Sequence, residues 1–406
     1  MNLLLTNHRL RQRGGSELFV AEVAVELQRR GHRVCVFSTV PGEISGMLQE
    51  QNVPVVSSPA DCPFRPDLIH GQHHLETMAA LSLWPGVPGV YFLHGATPWE
   101  EHPPVHPRLR RYLATSPRFG WWVAQECGVS ETSLEVVRNF FDAARFPHRR
   151  PPGQRTGRAL VFHNTMLASG PAFHALQAAC QAVGLTLDGV GEAFGKTDAN
   201  PGRLLPGFDV VFAGGRSAIE AMACGCAVLP VTALQAEGRV HPGNFEEMAD
   251  RNFTAETNAP PIQTAAVAAE LRRIRPEETE SVTRRIRNEF ALERAADRLL
   301  EIYASVMAES PEISSDPDSE SRAVGTYLVS LAARVKDADA RRAKLVQDKE
   351  TAACRAEVWK QRAASHQARM TWLETQAATA PWWQRRWWRR LRRQWESCSD
   401  GAHHGD

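Results

Sequence analysis

The stretch Asp209-Val210-Val211-Phe212-Ala213-Gly214-Gly215-Arg216-Ser217-Ala218-Ile219-Glu220-Ala221-Met222-Ala223-Cys224-Gly225-Cys226-Ala227-Val228-Leu229-Pro230-Val231 decides the fold. An apolar run, Val210 to Ala213, enters the glycine pair Gly214 and Gly215. A short helix is expected from about Ser217 to Cys224, and a second apolar run, Ala227 to Val231, leaves it. Strand, glycine turn, helix and strand make a βαβ unit. A helix start beside two glycines leaves backbone N–H groups free, which suits a phosphate. Glu220, one turn in, can accept hydrogen bonds from a sugar hydroxyl. Spacing alone fits equally well any Rossmann-like unit with a surface glutamate, because glycine turns are common.

Towards the N-terminus the same alternation recurs. Asn2 to Thr6 reads as a buried strand, followed by a basic loop that ends in Gly14-Gly15. Ser16 is the expected N-cap of a helix whose face is Phe19, Val20, Val23 and Leu27, closing near Gly31. Strands follow at His32 to Phe37, Val53 to Val56, Asp67 to His70 and Val90 to Leu93. Strands separated by helices predict a parallel, doubly wound sheet. Ligands of such sheets sit beyond the C-terminal strand ends, where Gly14-Gly15, His70 and His94 are expected. His94 reads either as a cleft residue or as a hydrogen-bonded strand-end histidine. His70, His73 and His74 lack a carboxylate at ligand spacing, so a metal site is not favoured. Glu100 and Glu101, in the loop past His94, read as solvated charges or as weak general bases.

The chain has 406 residues, enough for two domains and an appendage. Its net charge of +1 gives no overall attraction to nucleic acid. The 8 cysteines form no C-x-x-C array and read as reduced packing residues. The first residues lack the basic start and long apolar run of a signal peptide, so a cytoplasmic location is expected, peripheral on the inner membrane face.

Ser217–Val231 resembles the donor-site signature of GT-B glycosyltransferases, especially the family-4 group, through Glu220-Ala221-Met222-Ala223-Cys224-Gly225. Pro66-Asp67-Leu68-Ile69-His70, Phe92-Leu93-His94 and Glu135-Val136-Val137-Arg138-Asn139-Phe140-Phe141-Asp142 resemble further family segments. The resemblance covers about residues 1–308. It implies an α/β GT-B fold, with two Rossmann-like doubly wound domains facing a cleft. Residues 1–150 would be the acceptor-side domain and 151–308 the nucleotide-sugar domain, the boundary falling at the helix-breaking Arg149–Gly153 stretch. It implies that Glu220 binds the ribose, that Gly214, Gly215, Arg216 and Ser217 hold phosphate, that Gly15 faces the donor and that His94 faces the sugar. A UDP- or GDP-sugar would be the co-substrate, with no cofactor and no metal. The acceptor would be a glycan, a lipid-linked molecule or a protein, and transfer would retain configuration.

Two departures stand against the family pattern. The position eight residues before Glu220, where the family has a second glutamate, is Phe212. No Lys or Arg lies between Arg158 and Lys196, where the family places its diphosphate cations. Arg216 is the best local substitute. The second domain is also short, with about 70 residues between Pro151 and Glu220.

From about Glu270 to Met307 the chain reads as helix. Residues 309–321 read as a polar linker. Residues 322–378 read as a long helix whose apolar sites, among them Val324, Leu328, Leu331, Val335, Leu345 and Trp359, keep a 3.5-residue period. Self-association as a coiled coil and a single solvated helix both fit. In the tail, 379–398, Trp383, Trp387, Leu391 and Trp395 form a stripe opposed by six arginines. Residues 381–395 therefore predict docking on an anionic membrane rather than on an acidic protein or RNA. The function expected is nucleotide-sugar-dependent glycosyl transfer. A catalytically degenerate GT-B scaffold and, further off, a nucleotide-sugar epimerase are the alternatives.

Overall fold

Three adjacent leucines show how the first sheet is built. Leu3, Leu4 and Leu5 are each 0% exposed, and they alternate between two cores. A strand that buries both faces must have helices above and below it. The computed structural model describes residues 1–95, 98–148, 156–198, 200–256, 258–309, 317–381 and 384.

Seven parallel strands form the first sheet: β1 (Asn2–Thr6), β2 (Arg33–Phe37), β3 (Val55–Val56), β4 (Leu68–Gln72), β5 (Gly89–Leu93), β6 (Leu109–Ala114) and β7 (Leu134–Val136). Their order is β3-β2-β1-β4-β5-β6-β7. α1 (Gly15–Arg29) and α2 (Glu43–Glu50) pack on one face, while α3 (His74–Leu83) and α4 (Pro117–Cys127) pack on the other. The second sheet has four parallel strands: β8 (Arg158–Phe162), β9 (Thr186–Val190), β10 (Val210–Ala213) and β11 (Ala227–Pro230), in the order β11-β10-β8-β9. This short sheet accounts for the compression read from the sequence. Around it lie α5 (Pro171–Gln181), α6 (Pro201–Leu204), α7 (Gly215–Ala223), α8 (Phe245–Ala249), α9 (Thr264–Arg272) and α10 (Pro276–Glu289). Two doubly wound parallel sheets are the expected GT-B fold class.

The chain crosses between the sheets twice, and the crossings brace each other. Phe141 N–H donates to Phe290 O at 3.0 Å, and Leu292 N–H donates to Phe141 O at 3.0 Å. After the second crossing, α11 (Leu292–Glu309) packs Leu299, Ile302 and Tyr303 against Phe19 and Val23 of α1. The helix expected over 270–307 is therefore three helices. Pro276 starts α10, because proline is accommodated in a first helical turn. Phe290, with φ −117°, ends it.

Ser16 is not the cap of α1. Gly14 is the N-cap, and the Ser16 hydroxyl donates to Glu17 Oε2 at 3.0 Å. His70 is also inside β4 rather than past its end. It is 0% exposed, and its Nδ1 lies 2.5 Å from the Tyr303 hydroxyl.

α12 (Pro317–Thr379) begins earlier than the sequence suggests. The chain divides into two units, Met1–Tyr327 and Leu328–Asp406, so the first residues of α12 belong to the first unit. They are anchored there. Arg108, 3% exposed, donates to the carbonyls of Leu81, Trp84 and Val87 and pairs with Glu320 at 3.0 Å. The Tyr327 hydroxyl lies 2.7 Å from His74 Nδ1. In the second unit α12 is one helix with its periodic apolar residues Leu328, Val335, Leu345 and Trp359 exposed. Most of the Trp/Arg tail, and the linker residues 310–316, lie outside the described residues. No helix among the described residues is long and apolar enough to cross a membrane. None of the described cysteines is in a disulfide.

Candidate functional site

β10 runs directly into α7 with only Gly214 between them. Gly214 is the N-cap and offers no side chain to the helix amides. Gly215 has φ +59°, a left-handed conformation that a side chain would strain by about 1–2 kcal/mol. A Cβ at Gly214 would lie 3.1 Å from Val231 O. The turn is therefore tight, and the α7 amides open into a cleft of about 1170 Å³.

Gly15, His94, Gly214, Gly215, Arg216, Ser217 and Glu220 all line this cleft. Sheet topology brings them together: the first two follow β1 and β5, and the rest follow β10, all at C-terminal strand ends. A Cβ at Gly15 would meet no protein atom within 4 Å, so the room there belongs to the cleft. Phe212, reached by counting back from Glu220, is not a cleft residue. It is 0% exposed inside β10, on the sheet face that α5 and α9 cover. His163, Asn164 and Thr165 line the cleft at the end of β8, where the family carries cations.

Glu220 and Arg216 form a buried pair, with Arg216 Nε donating to Glu220 Oε1 at 2.8 Å. Arg216 Nη2 also donates to Glu22 of α1, and Arg145 Nη1 donates to the other oxygen of Glu22. Burial pushes the Glu220 carboxyl above the usual range; Arg216 pulls it back only in part, and Glu22 adds to the rise. Burial alone would lower the Arg216 guanidinium, but Glu22 and Glu220 more than reverse this and hold it above its ordinary value. Arg216 also lies over the Phe140 ring at 5.3 Å.

On the first domain, the His94 ring edge meets Phe19 at 4.9 Å, and its Nε2–H donates to Gln72 Oε1 at 2.7 Å. Burial lowers its pKa to about 4, against the upward pull of Glu101. The imidazole is neutral at physiological pH, so its other nitrogen is an acceptor. Glu101 is no solvated loop charge. It is 6% exposed, accepts the His94 N–H at 3.1 Å and lies 3.4 Å from His73 Nε2. Burial would raise its pKa, but the His73 hydrogen bond and the nearby His94 bring it below the usual value. Among the described residues, no three His, Cys, Asp or Glu side chains are grouped as metal ligands.

Glu22 and Arg145 were not apparent from the sequence. The available signal for Glu22 was a carboxylate on the same helical stripe as Phe19, a placement that calls for a buried partner.

Residues 13–145 match the model of Glycosyltransferase Family 4. In fold the chain is similar to Anabaena HepE in complex with UDP and glucose, at 17% identity and a TM-score of 0.54, covering 75% of this chain and 100% of that one. A glycosyltransferase from Rickettsia africae has 14% identity and a TM-score of 0.50, with 75% and 98% covered. The sucrose-phosphate synthase of Thermosynechococcus elongatus has 13% identity and a TM-score of 0.50, with 76% and 99% covered. No curated protein is significantly similar in sequence. The chain thus has a GT-B-like fold, and its residues 13–145 are similar to Glycosyltransferase Family 4. At these identities the structural likeness is one of fold.

Proposed function

We propose that the protein is a glycosyltransferase that moves a sugar from a nucleoside diphosphate sugar to an acceptor hydroxyl in the cleft. One observation carries this reading: the uncapped α7 amides, Glu220 and His94 converge on one cleft from two domains. Helix amides and their dipole suit a diphosphate. Glu220 is the ribose acceptor, while Gly214, Gly215, Arg216 and Ser217 hold phosphate. Gly15 lets the donor approach, and the free nitrogen of His94 accepts from a sugar hydroxyl. The donor is a UDP- or GDP-sugar; a neighbour of similar fold is a complex with UDP and glucose. Transfer retains configuration, with the leaving phosphate drawing the proton from the acceptor hydroxyl. Charge stabilisation falls to arginine and to the α7 amides rather than to a metal. Calorimetric titration with UDP and GDP tests the reading. At least one nucleotide should bind the wild type, and Glu220→Ala should weaken it at least tenfold. Binding of neither, or equal binding by Glu220→Ala, would count against it.

The degenerate-scaffold reading has its own support, since no Lys or Arg follows β8 in sequence before Lys196 and Arg216 is already ion-paired. In either case we propose that residues 381–395 dock on anionic lipid and that exposed α12 pairs with a second copy of itself. The expected result is that vesicles with anionic lipid sediment the full chain and that deleting residues 381–406 abolishes this. Equal sedimentation with neutral vesicles would contradict it.

A further inference from the structure

Glu22 comes from α1 on the first domain, yet both of its oxygens are engaged by arginines from elsewhere in the chain. Arg145 lies in the crossover that follows β7, and Arg216 lies in the first turn of α7. Both arginines line the cleft. Glu22 is 9% exposed, and the Arg216 side chain is 11% exposed. One anion bridging two guanidiniums is the arrangement a phosphate group adopts with an arginine pair.

The charges in this cluster cancel, with Glu22 and Glu220 facing Arg145 and Arg216. A neutral cluster has no net attraction for a diphosphate carrying two negative charges. Adding a diphosphate beside an undisplaced Glu22 would leave buried negative charge uncompensated, which is strongly unfavourable. Arg216 Nη1 is buried and has no hydrogen-bond partner. An unused donor therefore sits beside the uncapped glycine turn, on the guanidinium that Glu22 engages.

We propose that Glu22 is a placeholder in the diphosphate seat: its carboxylate keeps Arg145 and Arg216 paired, and an incoming diphosphate takes both arginines from it. This deepens the nucleotide-sugar reading and rests on it. Two consequences follow. The seat favours a diphosphate, which brings one anionic group per guanidinium, over a nucleoside, which brings none. Release of Glu22 also frees α1 from α7, so filling the seat loosens one ion-paired tie between the two domains.

The test compares wild type with Glu22→Gln, which keeps the shape and removes the charge. Each is titrated calorimetrically with UDP, GDP and inorganic pyrophosphate, after circular dichroism has established folding. The proposal expects Glu22→Gln to bind UDP or GDP about tenfold more tightly than wild type. Equal or weaker binding by a folded variant overturns it. If pyrophosphate gains affinity in Glu22→Gln while neither nucleotide binds, the placeholder stands and the nucleotide reading fails. If no anion binds either protein, both fall. Should Glu22→Gln not fold, a crystal structure of the wild type with UDP decides. Glu22 more than 4 Å from both arginines supports the proposal, and an intact bridge beside a bound nucleotide overturns it.

Discussion

Arg216→Ala is expected to destabilise the protein by about 3–5 kcal/mol, because it leaves Glu220 without its arginine and Glu22 with one of two in a buried site. The side chains of Glu22 and Glu220 are only 8% and 7% exposed, and Arg216 is the partner they share. Among the described residues, Arg145 would remain as the arginine hydrogen-bonded to Glu22, and Glu220 would lose the bond from Arg216 Nε. The loss should appear as a lowered midpoint in urea unfolding. It should shrink when Glu22→Gln is added, since the second change removes one of the two carboxylate charges. Independent, additive effects of the two substitutions would show that these side chains do not act as one cluster. A loss below about 1 kcal/mol would show that the site is open to water and the pair correspondingly weak. Nucleotide binding should fall with the same substitution, for a separate reason: the cleft loses its best-placed cation.

The second large effect concerns acid. His70 is 0% exposed with its pKa lowered to about 3 by burial, and His94 is lowered to about 4, again mainly by burial. Both are neutral in the folded protein, while an unfolded histidine titrates near 6.5. As the pH falls below about 6.5, the unfolded chain takes up protons that the fold refuses, so stability declines. The decline continues until each folded histidine titrates, near pH 4 for His94 and near pH 3 for His70. At about 1.4 kcal/mol per pH unit, His70 alone removes about 3 kcal/mol between pH 6.5 and 4. Urea midpoints measured at pH 7, 5.5 and 4.5 should fall steadily, and His70→Asn should flatten the slope. A midpoint that is constant over this range would mean that His70 is protonated in the fold.

The sheets were legible because burial on both faces writes continuous apolar runs. Leu3 to Leu5 and Val210 to Ala213 could hardly be anything but interior strands. The glycine turns were legible too, since φ +59° at Gly215 favours a residue without a side chain. Two kinds of feature were not. Local alternatives with similar propensity, such as Ser16 against Gly14 as the α1 cap, are decided by the angle at which the chain leaves the preceding loop. Long-range pairings leave no spacing signal at all. Glu22 meets partners 123 and 194 residues away, and Tyr303 reaches His70 across 233. Counting back eight residues from Glu220 reaches Phe212 but does not tell that it is buried inside β10, because the chain turns into α7 on Gly214 and Gly215 alone.

Hydrogen–deuterium exchange of the full chain with and without saturating UDP or GDP tests the central claim most directly, because it reads the α7 amides themselves. We expect one nucleotide to slow exchange in peptides containing residues 214–217 and in those containing residues 13–16, the two edges of the cleft. Unchanged exchange at both edges with either nucleotide would contradict a nucleotide site in this cleft.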